Sequence, residues 1–149
     1  RGTGVDDAGL ERKRAAVEQA RAANRPALDD PLETLRCLGG LELAAIAGAV
    51  LACRMARIPV VLDGYACTAA AAALFAADAR ALDHCVVAHR SVEPGHARLL
   101  EILDKRPLLD LDLRLGEASG AALGLGVLKA AVACHAGMST FADAGISAR

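Results

Sequence analysis

The chain has 149 residues, of which 54% are hydrophobic and only 2% aromatic. Its 17 basic and 18 acidic side chains nearly cancel. The sequence has neither a basic stripe nor the aromatic residues on which bases stack, so we expect no nucleic-acid partner. High hydrophobicity at low net charge also excludes an intrinsically disordered chain.

The longest uncharged apolar runs are Leu43–Cys53, Tyr65–Ala77 and Ala118–Leu128. Each is shorter than the roughly 20 residues of a membrane-spanning helix, so we expect no membrane partner. The five cysteines form no CxxC pair, which is typical of buried free thiols in a reducing compartment and predicts a cytoplasmic location. Because the chain opens at Arg1 without a Met, inside a glycine-rich loop, we interpret it as a piece of a longer protein.

Three helices are predicted in the first part of the chain. The carboxylates of Asp6 and Asp7 suit the start of a helix that runs to about residue 24. Asp29-Asp30-Pro31 predicts the start of a short helix, which Gly39-Gly40 ends. Residues 41–57 read as a long helix that is apolar nearly all round and is therefore expected to be buried.

Two short apolar runs, at about residues 58–62 and 85–89, predict buried parallel strands. Helices are predicted at about residues 67–79, after Pro94, and in an Ala- and Leu-rich stretch that ends near Cys134. Helices that alternate with short strands predict an α/β fold. Ligands of such sheets bind beyond the carboxyl ends of the strands, so we expect Asp63-Gly64 and His89-Arg90-Ser91 to line a pocket.

Gly2-Thr3-Gly4 is a glycine-rich turn just before a predicted helix. Such a turn presents backbone N–H groups to an anion, and the helix dipole adds to the attraction. The turn matches neither GxGxxG nor GxxxxGK[ST]. Phosphate binding and an ordinary turn both remain open on the residues alone.

Glu117 lies in Leu115-Gly116-Glu117-Ala118-Ser119-Gly120, at the N-terminal end of a predicted helix otherwise made of Ala, Leu and Gly. In an environment with few polar neighbours, a carboxylate takes up a proton more readily and suits a general base. An ordinary first-turn Glu that the helix dipole stabilises is the alternative.

Residues 89–96, His-Arg-Ser-Val-Glu-Pro-Gly-His, concentrate polar side chains between a strand and a helix. His89 and His96 do not have a familiar zinc spacing, and a GxSxG nucleophile elbow is missing. An anion- or ribose-binding loop and a purely structural loop are the two interpretations left.

Five segments, taken in order, resemble the C-terminal part of the nicotinate-nucleotide–dimethylbenzimidazole phosphoribosyltransferase family. They are residues 1–13 (Arg1-Gly2-Thr3-Gly4 with Asp6-Asp7 and Lys13), 38–45, 59–64, 89–96 and 114–121. The resemblance implies a Rossmann-like α/β enzyme with Ala- and Leu-rich helices that works as a homodimer. It implies phosphoribosyl transfer from nicotinate mononucleotide to 5,6-dimethylbenzimidazole, in the assembly of the cobalamin nucleotide loop, without a cofactor or a metal.

The resemblance also assigns site residues. The family's general base, the Glu of its LGEG[ST]G motif, falls on Glu117, whereas Ala118 departs from the Gly that often follows it. The substrate-binding positions fall on Gly2, Gly4, Lys13, Asp63, Ser91, Leu115 and Gly116.

An upstream GEMGIGNTT-type segment of the family is missing from these residues. We therefore interpret residues 1–149 as the C-terminal segment of the α/β domain, with about residues 117–149 in a smaller helical domain. We expect the 149 residues alone to be inactive. The alternative function is a non-catalytic nucleotide-binding or scaffolding module. A dinucleotide-dependent oxidoreductase is disfavoured because the GxGxxG fingerprint is missing.

Overall fold

The computed structural model describes residues 5–146 and confirms an α/β fold with Ala- and Leu-rich helices. Its helices are α1 (Asp7–Ala23), α2 (Pro31–Thr34), α3 (Gly40–Met55), α4 (Tyr65–Ala77), α5 (Pro94–Ile102) and α6 (Ser119–Gly137). Its strands are β1 (Val60–Leu62), β2 (Cys85–His89) and β3 (Pro107–Leu109). Short 3-10 turns cover Arg25–Asp29 and Ala79–Leu82, and a π-helical turn covers Leu35–Gly39.

The strands form one sheet in the order β1-β2-β3. β2 and β3 run parallel, with Val87 opposite Pro107 and His89 opposite Leu109. The first two strands lie where the sequence predicts them. β3 is a strand that the sequence analysis did not predict, because three residues beginning with Pro are too few to show a period.

The chain divides into two compact units, Arg1–Val60 with Ala66–Cys85, and Val61–Tyr65 with Val86–Arg149. In the first unit the most buried side chains belong to α3, α4, the turn before β2 and the first residue of β2. They are Ala47, Val50, Thr68, Ala70, Ala71, Leu74, Leu82 and Cys85. In the second unit they belong to the sheet, the segments that follow its strands, α5 and the residue that ends α5. They are Leu62, Asp63, Val87, Ala88, His89, Ser91, His96, Leu100 and Leu103.

The predicted burial of the third helix is wrong for the part of the chain that the structure describes. Only Ala47 and Val50 of α3 are buried, whereas Leu41 and Met55 are more than 80% exposed. An apolar composition marks a surface that a neighbour can cover. It does not say whether the neighbour lies within these residues.

By length and composition, two helical stretches would be long and apolar enough to cross a membrane. They are Pro31–Met55 and Ser119–Gly137, each with about a tenth of its most apolar window buried. Apolar helices of soluble proteins pass the same test, so the absence of a membrane partner remains a prediction. The smaller helical domain at about residues 117–149 also remains a prediction.

Candidate active site

Polar residues lie at the carboxyl ends of all three strands of the sheet. Asp63 comes after β1, His89 closes β2, and Asp110 comes after β3. The backbone N–H of Arg90 donates to the carbonyl of Leu109 at 2.9 Å, which extends the pairing of the last two strands by one residue. This edge is where ligands of open α/β sheets bind. The structure thus brings together the two segments that the sequence analysis assigned to a pocket.

Asp63 ties this edge to the first turn of α6. Its Oδ1 accepts a hydrogen bond from the backbone N–H of Ala121 at 2.8 Å, across 58 residues of sequence. The residue is 9% exposed. The first N–H groups of a helix lack partners within the helix, and in most helices a neighbouring cap residue accepts one of them. In α6 the distant Asp63 is the acceptor.

His89 lies under the same helix turn. Its side chain is 3% exposed, and its Nε2 lies 3.9 Å from Oδ1 of Asp63. A Cβ atom added to Gly120 would overlap the ring, and one added to Gly64 would lie 3.0 Å from Nε2. Among the described residues, neither ring nitrogen has a hydrogen-bond partner. The imidazole therefore packs closely between two glycine backbones.

Glu117 stands on an unusual turn immediately before α6. Gly116, Glu117 and Ala118 all have positive φ angles, of 80°, 54° and 61°. Non-glycine residues in this region are strained, and such residues cluster at functional sites. The Glu117 side chain is exposed, so the described residues do not provide the desolvation that the sequence analysis expected. Leu115, just before the turn, is 78% exposed.

Ser91 is held from two sides in the loop that follows β2. Its backbone N–H donates to Nδ1 of His96 at 2.9 Å, and its hydroxyl donates to Oε2 of Glu93. His96 is fully buried, with its ring centroid 6.0 Å from that of Tyr65 and 6.5 Å from that of His89. The serine that the resemblance assigns to substrate binding therefore has a fixed backbone.

The pKa of His96 is lowered from its ordinary value, mainly by burial and further by the neighbouring His89. Glu93 acts in the opposite direction. A neutral ring can keep Nδ1 as an acceptor for the N–H of Ser91, whereas a protonated ring cannot. The lowered pKa and the observed hydrogen bond therefore favour the same state of the ring.

A small polar groove of about 240 Å³ opens beside Ser91. Glu93, Pro94 and Asp110 also line it, and Arg90 closes one side through an ion pair with Asp110 at 3.3 Å. With Asp112, three carboxylates and one guanidinium line the groove, so its described lining is polar with an excess of negative charge.

The predicted site residues that the structure describes fall in both units of the chain. Lys13 is an exposed residue of α1 in the first unit. It lines a shallow depression of about 370 Å³ with Val5, Asp6 and Gly9. Gly2 and Gly4 lie outside the described residues. Asp63, Ser91 and Gly116 belong to the second unit together with Leu115 and Glu117.

Sequence reasoning missed the parts that His89 and His96 play. It placed both in a polar loop but did not pair His96 with the backbone of Ser91 or His89 with Gly120. The five-residue spacing from Ser91 to His96, with Pro94 at the first turn of α5, was the available signal for the first contact. The second contact joins residues 31 apart, and local pattern carries no sign of it.

Comparisons with known proteins agree with this arrangement. A family model described as phosphoribosyltransferase matches residues 1–146. The nicotinate-nucleotide–dimethylbenzimidazole phosphoribosyltransferase of Rhizobium etli is 61% identical over 99% of this chain, and that of Brucella canis is 57% identical over 99%. This chain covers 44% and 43% of those two proteins. It therefore spans less than half the length of the relatives it matches.

Solved structures of the same family are also similar to this chain. The crystal structure of CobT from Thermus thermophilus matches with a TM-score of 0.88 and 47% identity, over 100% of this chain and 44% of that one. A structure of nicotinate-nucleotide–dimethylbenzimidazole phosphoribosyltransferase from the same organism matches with a TM-score of 0.84 and 46% identity, over 96% of this chain and 43% of that one. The chain therefore belongs to the phosphoribosyltransferase family of the nicotinate-nucleotide–dimethylbenzimidazole enzymes.

Proposed function

We propose that an enzyme carrying this chain transfers the phosphoribosyl group of nicotinate mononucleotide to 5,6-dimethylbenzimidazole. The products are α-ribazole 5′-phosphate and nicotinate, and the reaction serves cobalamin biosynthesis. The observation that carries the proposal is the 61% identity, over 99% of the chain, to a relative named for this reaction. The strained turn that carries Glu117, just before the helix whose first turn bonds to Asp63, adds to it.

The chemistry requires one well-placed carboxylate. A benzimidazole nitrogen attacks C1′ of the ribose with its lone pair, while the bond from C1′ to the pyridinium nitrogen breaks. The electrons of that bond neutralise the ring, so nicotinate leaves without a proton from a general acid. The second benzimidazole nitrogen carries a proton that becomes acidic as the new bond forms, and Glu117 accepts it. Attack opposite the leaving group converts the β-nucleotide into the α-nucleotide.

The other assigned residues bind the substrates in this proposal. Ser91 and Gly116 belong to the same unit as Glu117, and Leu115 offers an exposed aliphatic side chain to an aromatic base. Asp63, Lys13 and the glycines of the 2–4 turn complete the proposed set. We also propose that the enzyme is a cytoplasmic homodimer without nucleic-acid or membrane partners. The scheme calls for neither a cofactor nor a metal.

Replacing Glu117 tests the proposal. The test uses an enzyme of the relatives' full length whose C-terminal part is this chain, and it follows the release of nicotinate. We expect Glu117→Gln to lower kcat by about 100-fold or more, as the loss of a general base does. The matched control is Glu101→Gln, which removes an exposed carboxylate that pairs with Arg98 on α5 and should leave kcat unchanged. Equal kcat values for Glu117→Gln and the unsubstituted enzyme would remove Glu117 from the role.

The 149 residues alone should be inactive, because they span less than half the length of the relatives and the substrate pockets are expected to extend beyond them. A single-turnover measurement of nicotinate release on the isolated chain tests this. Release at the rate of the full-length enzyme would show that the chain holds complete pockets. Tight binding of nicotinate mononucleotide by the full-length enzyme without any turnover would favour the non-catalytic alternative.

A further inference from the structure

We propose that Asp63 and His89 are positioning residues for Glu117, and that they act by fixing the first turn of α6. The inference rests on the proposed function, in which Glu117 is the general base. It assigns Asp63 a role beyond the substrate contact proposed for it, and it gives His89 a role in the site.

The turn that carries Glu117 needs external support. Left-handed backbone brings the Cβ atom of a non-glycine residue too close to the following carbonyl oxygen, and both Glu117 and Ala118 adopt it. Ala118 occupies the cap position of α6 and has no side-chain oxygen to offer the helix. The N–H of Ser119 donates to the carbonyl of Gly116 at 3.0 Å, which closes the turn. That bond does not fix the turn relative to the sheet, so contacts from elsewhere in the fold must do so.

Asp63 supplies the polar part of that support. Its Oδ1 accepts the N–H of Ala121, and its negative charge lies at the positive end of the dipole of a 19-residue helix. Charge-assisted hydrogen bonds of this kind are roughly twice as strong as neutral ones. The bond joins the end of β1 to a residue four positions after Glu117, so it fixes where α6 begins relative to the sheet.

His89 supplies the steric part. The close approach of its ring to Gly120 leaves no room for any side chain at that position. The ring thereby sets how near the first turn of α6 lies to the sheet, while Asp63, 3.9 Å away, sets its position along the edge. A hydrogen bond from Asp63 and a steric contact from His89 thus fix the first turn of α6.

Asp63→Ala and Asp63→Asn distinguish positioning from direct substrate contact. In the full-length enzyme, we expect Asp63→Ala to lower kcat about 10-fold or more, in addition to any rise in the KM for nicotinate mononucleotide that the loss of its proposed substrate contact causes. Asparagine keeps an oxygen that can accept the N–H of Ala121, so Asp63→Asn should restore most of kcat. In the Glu117→Gln background, Asp63→Ala should cause no further loss, because residues that act through one another are not additive.

Amide hydrogen exchange gives a readout that does not depend on activity. The N–H of Ala121 should exchange at least about 10-fold faster in Asp63→Ala, and near the original rate in Asp63→Asn. Asp83→Ala is the control, since Asp83 is an exposed residue of the first unit that pairs with Arg54. It should change neither the exchange rate nor kcat.

Gly120→Ala provides a second route if Asp63→Ala does not fold. Its new methyl group meets the His89 ring, so kcat should fall about 10-fold or more at nearly constant KM. Gly126→Ala is the matched control on the same helix, because its Cβ would meet no described atom within 4 Å.

The outcomes separate the two proposals. No nicotinate release by the unsubstituted enzyme would overturn the proposed function, while the exchange rates would still test how α6 is held. Unchanged exchange at Ala121 in Asp63→Ala would overturn the positioning role. So would a raised KM with unchanged kcat, or losses that add in the Glu117→Gln background.

Discussion

Two apolar helical stretches of this chain begin in different ways. Pro31–Met55 is capped by the residue just before it, since Oδ1 of Asp30 accepts the N–H groups of Leu32 and Glu33 at 2.8 and 2.9 Å. Helix α6 takes its acceptor from Asp63, which lies 58 residues before Ala121. The first helix start is a local property of its sequence, whereas the second exists only when the sheet has formed. The helix start beside Glu117 is therefore the one that depends on the tertiary fold.

The difference has a physical basis. A local cap stabilises a helix but does not fix its position relative to anything else. A distant cap joins the helix end to another element, and it thereby helps to hold a backbone strained at Glu117 and Ala118 in place relative to the sheet. We therefore expect substitutions at the two helix starts to differ in their effect on activity more than in their effect on stability.

Gly120→Ala should have the largest effect on stability. Its Cβ would overlap the His89 ring, and overpacking of this kind costs about 1–3 kcal/mol or more. Gly126→Ala should instead stabilise α6 by up to about 1 kcal/mol, since Gly is a weak helix former and the position is open. Urea denaturation of both variants measures the contrast. Equal destabilisation would mean that the close approach to His89 does not constrain α6.

Removing each cap in turn tests the difference between the two helix starts. Asp30→Ala should destabilise the protein by about 1 kcal/mol, the usual cost of losing a helix cap, and should leave kcat unchanged. Asp63→Ala removes a buried, charged acceptor, so it should cost about 1–3 kcal/mol and should also lower kcat. Denaturation and steady-state kinetics on the same preparations test both effects. A loss of kcat in Asp30→Ala would contradict the distinction between local and distant caps.

Ala118→Gly should act in the opposite direction. Ala118 has φ 61° and ψ 16°, a conformation that glycine adopts without the penalty of a Cβ atom. We expect a gain of about 1 kcal/mol in stability, because left-handed backbone costs alanine about that much. Measuring unfolding and kcat together shows whether relief of strain at this position changes the placement of Glu117. A loss of stability would mean that the Ala118 methyl group makes a favourable contact.

The pH dependence of stability should report on the loop that holds Ser91. In the unfolded chain His96 has its ordinary pKa of about 6.5, and folding lowers this pKa through burial and His89, with Glu93 opposing. As the pH falls below about 6.5, the unfolded state binds the proton first, so stability should fall. Above that pH the contribution is constant. Tyr65 and the Ser91 N–H also face the ring.

His96→Asn tests this assignment, because asparagine can accept the N–H of Ser91 but does not titrate. Unfolding measured between about pH 8 and about pH 5, the range around the ordinary histidine pKa, should depend less on pH in this variant than in the unsubstituted protein. An identical pH profile would assign the dependence to another group.

Most elements could be predicted from local pattern, and the exceptions have particular causes. The start of α1 is confirmed by the bond from the N–H of Gly9 to Oδ1 of Asp6 at 2.7 Å. The start of α2 is confirmed at Asp30 and Pro31. The strand β3 was missed because it is short and begins with Pro. The burial of α3 was predicted wrongly, because an apolar helix face shows that a neighbour can cover it but not which segment does.

The sequence by itself determined the α/β fold, the helix starts at Asp6 and Asp30, and the family to which the ordered motifs belong. Their signals are short-range: a carboxylate before a helix, a β-branched run, a motif of six to eight residues. The tertiary structure decided how Glu117 is presented. The left-handed turn, the bond from Ala121 to Asp63 and the contact of His89 with Gly120 involve segments up to 58 residues apart. Such contacts form only when the sheet brings the ends of its strands together.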